Sequence, residues 1–248
     1  PGSIEQAHKV DEFIKLDELK NVSGFSKTFL LGGAAPPEGH NLRLEALAST
    51  FEQLASAGLN DFYSGEIADS IARDLGAAGS PLLIEDLARH KALIVEPLSI
   101  NLKSGTVYTM PPPTQGLASA MILGLYERLN VSKSESLEYV HAIVEASKRA
   151  FQVRDKYVSD PTYMTIDPAQ FLEAATLDKV AAEIDSKTAL PWPEMSAPGD
   201  TVWLGSMDSE GCSVSLIQSI YWEFGSGLVL PETGIVWQNR GVSFGLDP

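Results

Sequence analysis

Apolar positions along this chain recur at two spacings, and the change from one to the other divides it. Over most of the first 200 residues they fall three or four apart, the period of a helix with one face turned inward. Ile4, Ala7, Phe13, Ile14 and Leu16 predict an amphipathic helix over 4–19. Leu44, Leu47, Phe51 and Leu54 predict an inward face for a second over about 43–57, with Gly58 as its stop. Ile67, Ile71 and Leu75 mark a third, beginning near Gly65. The run PPPTQG at 111–116 releases a helix over 115–130, and Leu137, Val140, Ile143, Val144 and Phe151 predict the inward face of a long one over about 135–157. Between these lie ALIVEPLSINL and GTVYTM, β-rich segments that read as paired strands turning at Gly105.

Residues 186–200, SKTALPWPEMSAPGD, hold three prolines and little periodicity, and read as an exposed connection. The pattern changes at 201. TVWLGSMD, a turn at SEG and then CSVSLIQSIY form a β-hairpin pattern. The fold class expected is therefore α+β, with a mostly helical part over 1–200 and a β-rich part over 201–248.

Composition narrows the partners. The chain carries 33 Asp and Glu against 18 Lys and Arg, a formal charge of −15, which repels phosphate backbones and anionic membranes. Neither nucleic acid nor a membrane is expected as a partner. No apolar run approaches the roughly 18 residues of a membrane span. The start, PGSIEQAHKV, lacks a basic stretch followed by an apolar one. That favours a cytoplasmic location, with periplasmic or secreted placement left open. Cys212 is the single cysteine, and His8, His40, His90 and His141 are scattered without ligand spacing. No metal site and no cofactor are expected.

Thr201 follows the connection and opens a strand. An ordinary turn and edge strand would look the same. The chemical alternative is specific: cutting the Asp200–Thr201 bond would leave Thr201 with both a hydroxyl and a free α-amine. Such an amine has a pKa of roughly 7.7–8.0 and can act as a base near neutral pH. Nucleophile and base would then share one residue, and no histidine would be needed.

The segment GDTVWLGSMDSEGCSVSLIQSIYWEFGSG, 199–227, resembles the start of the small subunit in the γ-glutamyltransferase family. DFYSGEIADSIARDL (61–75), LLIEDLARHKA (82–92), YTMPPPTQG (108–116) and HAIVEASKRAFQVRDKYVSDP (141–161) resemble the same family in the same order. The resemblance implies the αββα sandwich of N-terminal-nucleophile hydrolases, represented here only in part. It makes 1–200 the later part of a large subunit and 201–248 the start of a small one. It also implies self-cleavage between Asp200 and Thr201, with Thr201 as nucleophile and Ser219 as a second hydroxyl on the next strand. The family's carboxylate-binding Arg and the paired glycine amides of its oxyanion hole have no counterpart here, so this stretch alone is expected to be poorly active.

The implied substrate pocket departs from the pattern of γ-glutamyl enzymes. Where they hold the substrate's ammonium group with acceptors, this sequence has Tyr221, Arg240 and Ser243, with Asn239 alongside. A fixed cation at Arg240 repels an ammonium and attracts a carboxylate. The acyl group expected is thus anionic or neutral at that end, glutaryl-like, nearer to acylase-like members than to glutathione-degrading ones. A structural reading has Arg240 in solvent, or paired with Glu232 or Asp247. The activity implied is a self-processing amidohydrolase or acyltransferase, a zymogen whose two cleaved subunits form a heterodimer acting on a small-molecule amide. The rival reading is an uncleaved, non-catalytic member serving as a scaffold or binding protein. Trp203, Trp222 and Trp237 are expected as core or pocket wall, Arg154–Asp155 as an ion pair, Glu85–Asp86 as a helix-start cap, and Asp17–Glu18 as a solvated face.

Overall fold

Both expected periods become elements in the computed structural model, which describes residues 16–192 and 201–243. The helices are α1 (Leu16–Leu19), α2 (Phe25–Phe29), α3 (Glu45–Ala57), α4 (Asp61–Ser64), α5 (Glu66–Ala77), α6 (Ile84–Arg89), α7 (Gly116–Arg128), α8 (Leu137–Tyr157) and α9 (Ala174–Ala182). The strands are β1 (Leu98–Leu102) and β2 (Gly105–Thr109), then β3 (Val202–Met207) and β4 (Ser213–Gln218), each pair antiparallel. Short 3₁₀ turns cover Pro168–Leu172 and Arg240–Ser243. Of the helix expected over 4–19, only the last turn lies within the described residues. The described residues form two compact units, one from 16–92 with 201–243 and the other from 93–192.

In the 93–192 unit, α7 is the centre. Leu117, Ala118, Ala120, Met121 and Leu125 bury against Leu98 and Ile100 of β1, Ala146 and Ala150 of α8, and Leu177 of α9. Gly124 lets the strand come close, since a Cβ there would sit 2.5 Å from Cδ1 of Ile100 and 2.9 Å from Cδ1 of Leu177. The first strand begins only at Leu98, so 93–97 of the expected strand are irregular, and Leu93 and Ile94 are exposed.

The long helix corrects the reading of its own face. Leu137, Val140 and Val144 are exposed, while the buried positions are Ala142, Glu145, Ala146 and Ala150. Small alanines let α7 approach closely, which outweighs the hydrophobicity of the Leu and Val on the other side. The expected ion pair of Arg154 with Asp155 is present at 2.7 Å.

In the other unit, α5 supplies Ile67, Ala68, Ile71 and Leu75 to a core closed by Leu87, Leu228 and Leu230. Here too one expected inward position faces out: Phe51 of α3 is exposed, and Thr50 beside it is buried. Asp86 caps α6, its carboxylate accepting the Leu83 N–H at 2.9 Å. Residues 224–237, which follow the second hairpin, are tied to these helices. Leu228 and Leu230 enter the core, the Val229 N–H donates to the Ser23 carbonyl at 3.0 Å, and the buried Thr50 hydroxyl donates to the Thr233 carbonyl at 2.8 Å. Glu232 accepts from Arg73 at 2.6 Å while its N–H donates to Asp74 at 3.0 Å. Gly24 permits this approach: its φ is +77°, and a Cβ there would stand 2.2 Å from the Val229 oxygen.

The tryptophan expectation divides. Trp237 packs against the core, whereas Trp203 and Trp222 are exposed. Both faces of the β3–β4 hairpin are exposed, so among the described residues no core lies beside Trp203.

Because Met121 is fully buried at the centre of the 93–192 unit, Met121→Ala is expected to cost about 2–5 kcal/mol by urea denaturation. A loss under 1 kcal/mol would show that the site collapses around the deletion.

Candidate functional site

The geometry near Thr201 is set at the opposite end of the hairpin. Asp208 folds the turn: its carboxylate accepts the N–H of Glu210 and of Cys212, each at 2.9 Å, and its own N–H donates to the Cys212 carbonyl at 3.0 Å. Gly211 completes the reversal at φ +85°, a value that non-glycine residues rarely adopt. This turn fixes the register, in which Met207 faces Ser213 and Val202 faces Gln218. One step further, Thr201 faces Ser219.

The two hydroxyls meet there, Thr201 Oγ1 donating to Ser219 Oγ at 3.2 Å. Ser219 Oγ also accepts the Tyr221 N–H at 2.9 Å, which holds the chain as it leaves β4. Tyr221 takes φ +82°. A non-glycine residue in the left-handed region carries strain, and such strain persists only when neighbours enforce it. The neighbours are identifiable. Asn239 Oδ1 accepts the Trp222 N–H at 3.3 Å, and the Asn239 N–H donates to the Ile220 carbonyl at 3.2 Å. The next residue, Arg240, sets its guanidinium 5.0 Å from the centre of the Tyr221 ring. Ser243 donates its hydroxyl to the Arg240 carbonyl at 2.8 Å, closing the short 3₁₀ turn.

Of the residues singled out in the sequence, Thr201, Ser219, Tyr221, Asn239 and Arg240 thus form one linked series, and Ser243 holds the backbone at its end. Asp200 lies outside the described residues. Arg240 forms no ion pair among the described residues. Glu232, one of its two suggested partners, is engaged by Arg73, and Asp247, the other, lies outside the described residues. What sequence reading missed is the left-handed Tyr221 and the role of Asn239 as a backbone acceptor. Neither leaves a residue-type signature, because both depend on where the chain turns. Among the described residues no group of three or more His, Cys, Asp and Glu side chains is gathered that would hold a metal, and no helix is long and apolar enough to cross a membrane.

The sequence profile of the family described as Gamma-glutamyltranspeptidase matches residues 4–248. The chain belongs to that family. Its curated relatives include an oxamate amidohydrolase proenzyme of Klebsiella pneumoniae, 47% identical over 248 residues, which are all of this chain and 47% of the relative. A glutathione hydrolase-like proenzyme of Bacillus subtilis, YwrD, is 32% identical, with 100% of this chain matching 47% of it. Among solved structures, a cephalosporin acylase from Bacillus halodurans superposes with a TM-score of 0.88 at 33% identity, covering 100% of this chain and 46% of that one. The fold class is therefore the α+β fold of this family. The chain spans about half the length of these relatives.

Asp208→Ala removes the one carboxylate oxygen that accepts both turn N–H groups, each bond worth about 0.5–1.5 kcal/mol. Hydrogen exchange should accelerate at the amides of 202–218 and stay unchanged in α5. Unaltered exchange in the hairpin would mean that the register has another determinant.

Proposed function

We propose that this chain carries the nucleophile of a self-processing amidohydrolase. The observation that supports it is the 3.2 Å contact of Thr201 Oγ1 with Ser219 Oγ at the hairpin's open end. It is supported as well by relatives that are named proenzymes. Maturation begins when Thr201 Oγ attacks the Asp200 carbonyl carbon. The C–N bond breaks as the acyl group passes from nitrogen to oxygen, which frees the Thr201 amine, and water then hydrolyses the ester to release the Asp200 carboxylate and the Thr201 hydroxyl. In turnover, Thr201 Oγ attacks the substrate amide while that amine takes its proton and passes it to the departing nitrogen. Water, or an acceptor amine, releases the acyl group from Thr201. Ser219 accepts a hydrogen bond from the Thr201 hydroxyl, which orients its lone pairs for attack. The mature form in this reading is a heterodimer of the two cleaved subunits, and its substrate is a small-molecule amide.

Arg240 directs the choice of acyl group. Its guanidinium has no anionic partner among the described residues and lies over the Tyr221 ring at 5.0 Å. An acyl group that ends in a carboxylate meets an attractive fork, whereas one bearing a free ammonium meets repulsion. A glutaryl amide meets that requirement. Oxamate, named for the Klebsiella relative, also carries a carboxylate on its acyl side. Asn239, Tyr221 and Ser243 serve this reading as the supports of Arg240.

Two measurements on the full-length protein test these steps. Intact mass and N-terminal sequencing should find a fragment beginning Thr201-Val202-Trp203, and none in Thr201→Ala. A wild-type chain that stays uncut would return the reading to a scaffold. In competition, glutaryl p-nitroanilide should be hydrolysed in preference to the γ-glutamyl compound. Arg240→Ala should lose roughly tenfold or more of kcat/KM for the glutaryl substrate, the worth of a charged hydrogen-bonded pair. Preference for γ-glutamyl would refute the assignment of Arg240.

A further inference from the structure

After the second hairpin the chain leaves the candidate site and returns to it through a short antiparallel excursion over 226–237. Val229 bridges Val236, the Leu230 N–H donates to the Ile235 carbonyl at 2.9 Å, and the Trp237 N–H donates to the Leu228 carbonyl at 2.8 Å. At the near end the Ser226 N–H donates to the Trp237 carbonyl at 2.9 Å, and the Asn239 N–H reaches the Ile220 carbonyl at 3.2 Å. Arg240 is the next residue. Its place beside Tyr221 is thus the last step of a ladder that begins at the far tip, 231–234.

Two helices hold that tip, mainly by its backbone. Thr50 of α3 donates its hydroxyl to the Thr233 carbonyl at 2.8 Å, and Asp74 of α5 accepts the Glu232 N–H at 3.0 Å. Arg73 of α5 donates to the Glu232 carboxylate at 2.6 Å and to the Ser70 hydroxyl at 3.0 Å. Gly234, at φ +70°, lies directly on α3: a Cβ there would stand 2.5 Å from the Leu47 nitrogen. Backbone meets helix here with no side chain between.

Burial alone does not call for this arrangement. Thr50 is 6% exposed and Thr233 3%. A buried hydroxyl is costly unless it is hydrogen-bonded, and Val in place of Thr50 would fill the same space without that demand. What Val cannot do is bind a carbonyl. Three side chains from two helices converge on two adjacent residues, and two of the three bonds go to the main chain. Such contacts fix where the loop runs more than which side chains it carries.

We infer that Thr50, Arg73 and Asp74 are positioning residues for Arg240, and so for the choice of acyl groups that end in a carboxylate. The inference rests on the role proposed above for Arg240. The three take no part in bond breaking. A displaced tip shifts the ladder, the ladder shifts Asn239, and the guanidinium loses its alignment to a carboxylate, whose paired hydrogen bonds are directional. The hydroxyls of Thr201 and Ser219 are placed by a different device, the Asp208 turn, so acyl selection separates from self-cleavage.

The test uses mature full-length protein with the glutaryl and γ-glutamyl p-nitroanilides. Thr50→Val, Arg73→Ala and Asp74→Ala should each raise KM for the glutaryl compound roughly three- to tenfold, with kcat little changed, and narrow its lead over the γ-glutamyl compound. Thr50→Ser and Asp74→Asn keep a donor and an acceptor in place and should keep the wild-type preference. In an Arg240→Ala background the three substitutions should add nothing, because their route to the substrate is gone. Precursor conversion, followed by intact mass, should stay close to the wild-type rate. A purely structural role would lower the melting temperature and depress hydrolysis of both compounds alike, with or without Arg240. If the wild type prefers the glutaryl compound and the three variants keep that preference, the positioning role is wrong and the role of Arg240 stands. Should Thr50→Val fail to fold, Arg73→Ala decides, being a change at an exposed side chain. A wild type that prefers the γ-glutamyl compound overturns both readings.

Discussion

The register of the β3–β4 hairpin is the constraint on which the candidate site depends. Side chains alternate along a strand, so a slip by one residue would turn every one of them to the other face. The slip would also part Thr201 from Ser219. Asp208 and Gly211 prevent it from the far end, several residue pairs away from the hydroxyls. A turn near Cys212 thus governs a contact at Thr201, because an antiparallel ladder transmits position along its length. Packing does not supply this order, since Val202, Leu204, Leu216 and Ile217 are all exposed.

A hairpin so little packed needs a firm base, and the base is the segment that follows it. Phe224 meets Phe25 and Phe29 with ring centres 5.1 and 5.0 Å away. Leu228 and Leu230 then enter the core beside α5, and Thr50, Arg73 and Asp74 hold the loop at Glu232 and Thr233. This anchoring brings Asn239 and Arg240 back against 220–222. The strained backbone of Tyr221 persists because its hydrogen bond to Ser219 and those around Asn239 enforce it from both sides. Structure far from the hydroxyls therefore decides which side chain stands next to them.

Charge is used in two different ways. At Arg240 a cation has no ionic partner among the described residues, and its surroundings are an aromatic ring, which suits recognition of an anion. At Glu145 and Lys148 both charges are paired and buried, and the hydrogen bonds left over are spent on the backbone of Leu190. In the proposed reading the first arrangement serves a ligand, whereas the second holds the backbone of one residue. A burial measure or a charge tally would not distinguish them; the partners do.

By itself the sequence determined the family and most of the elements. Periods of 3.6 and 2 marked α3, α5, α7, α8 and both hairpins, because these follow from local backbone geometry and one-sided burial. Ser219 as the partner of Thr201 is implied by the family resemblance, and the hairpin register places the two hydroxyls together. Only the tertiary structure decided which face of α8 is buried. Close approach to α7 favours the small Ala146 and Ala150 over Leu137 and Val140, and hydrophobicity along the chain contains no information about that neighbour. The same holds for the positive φ of Tyr221, for Asn239 as a backbone acceptor and for the grip of Glu145 and Lys148 on Leu190. Each joins residues distant in sequence, and such contacts exist only once the chain has chosen its path.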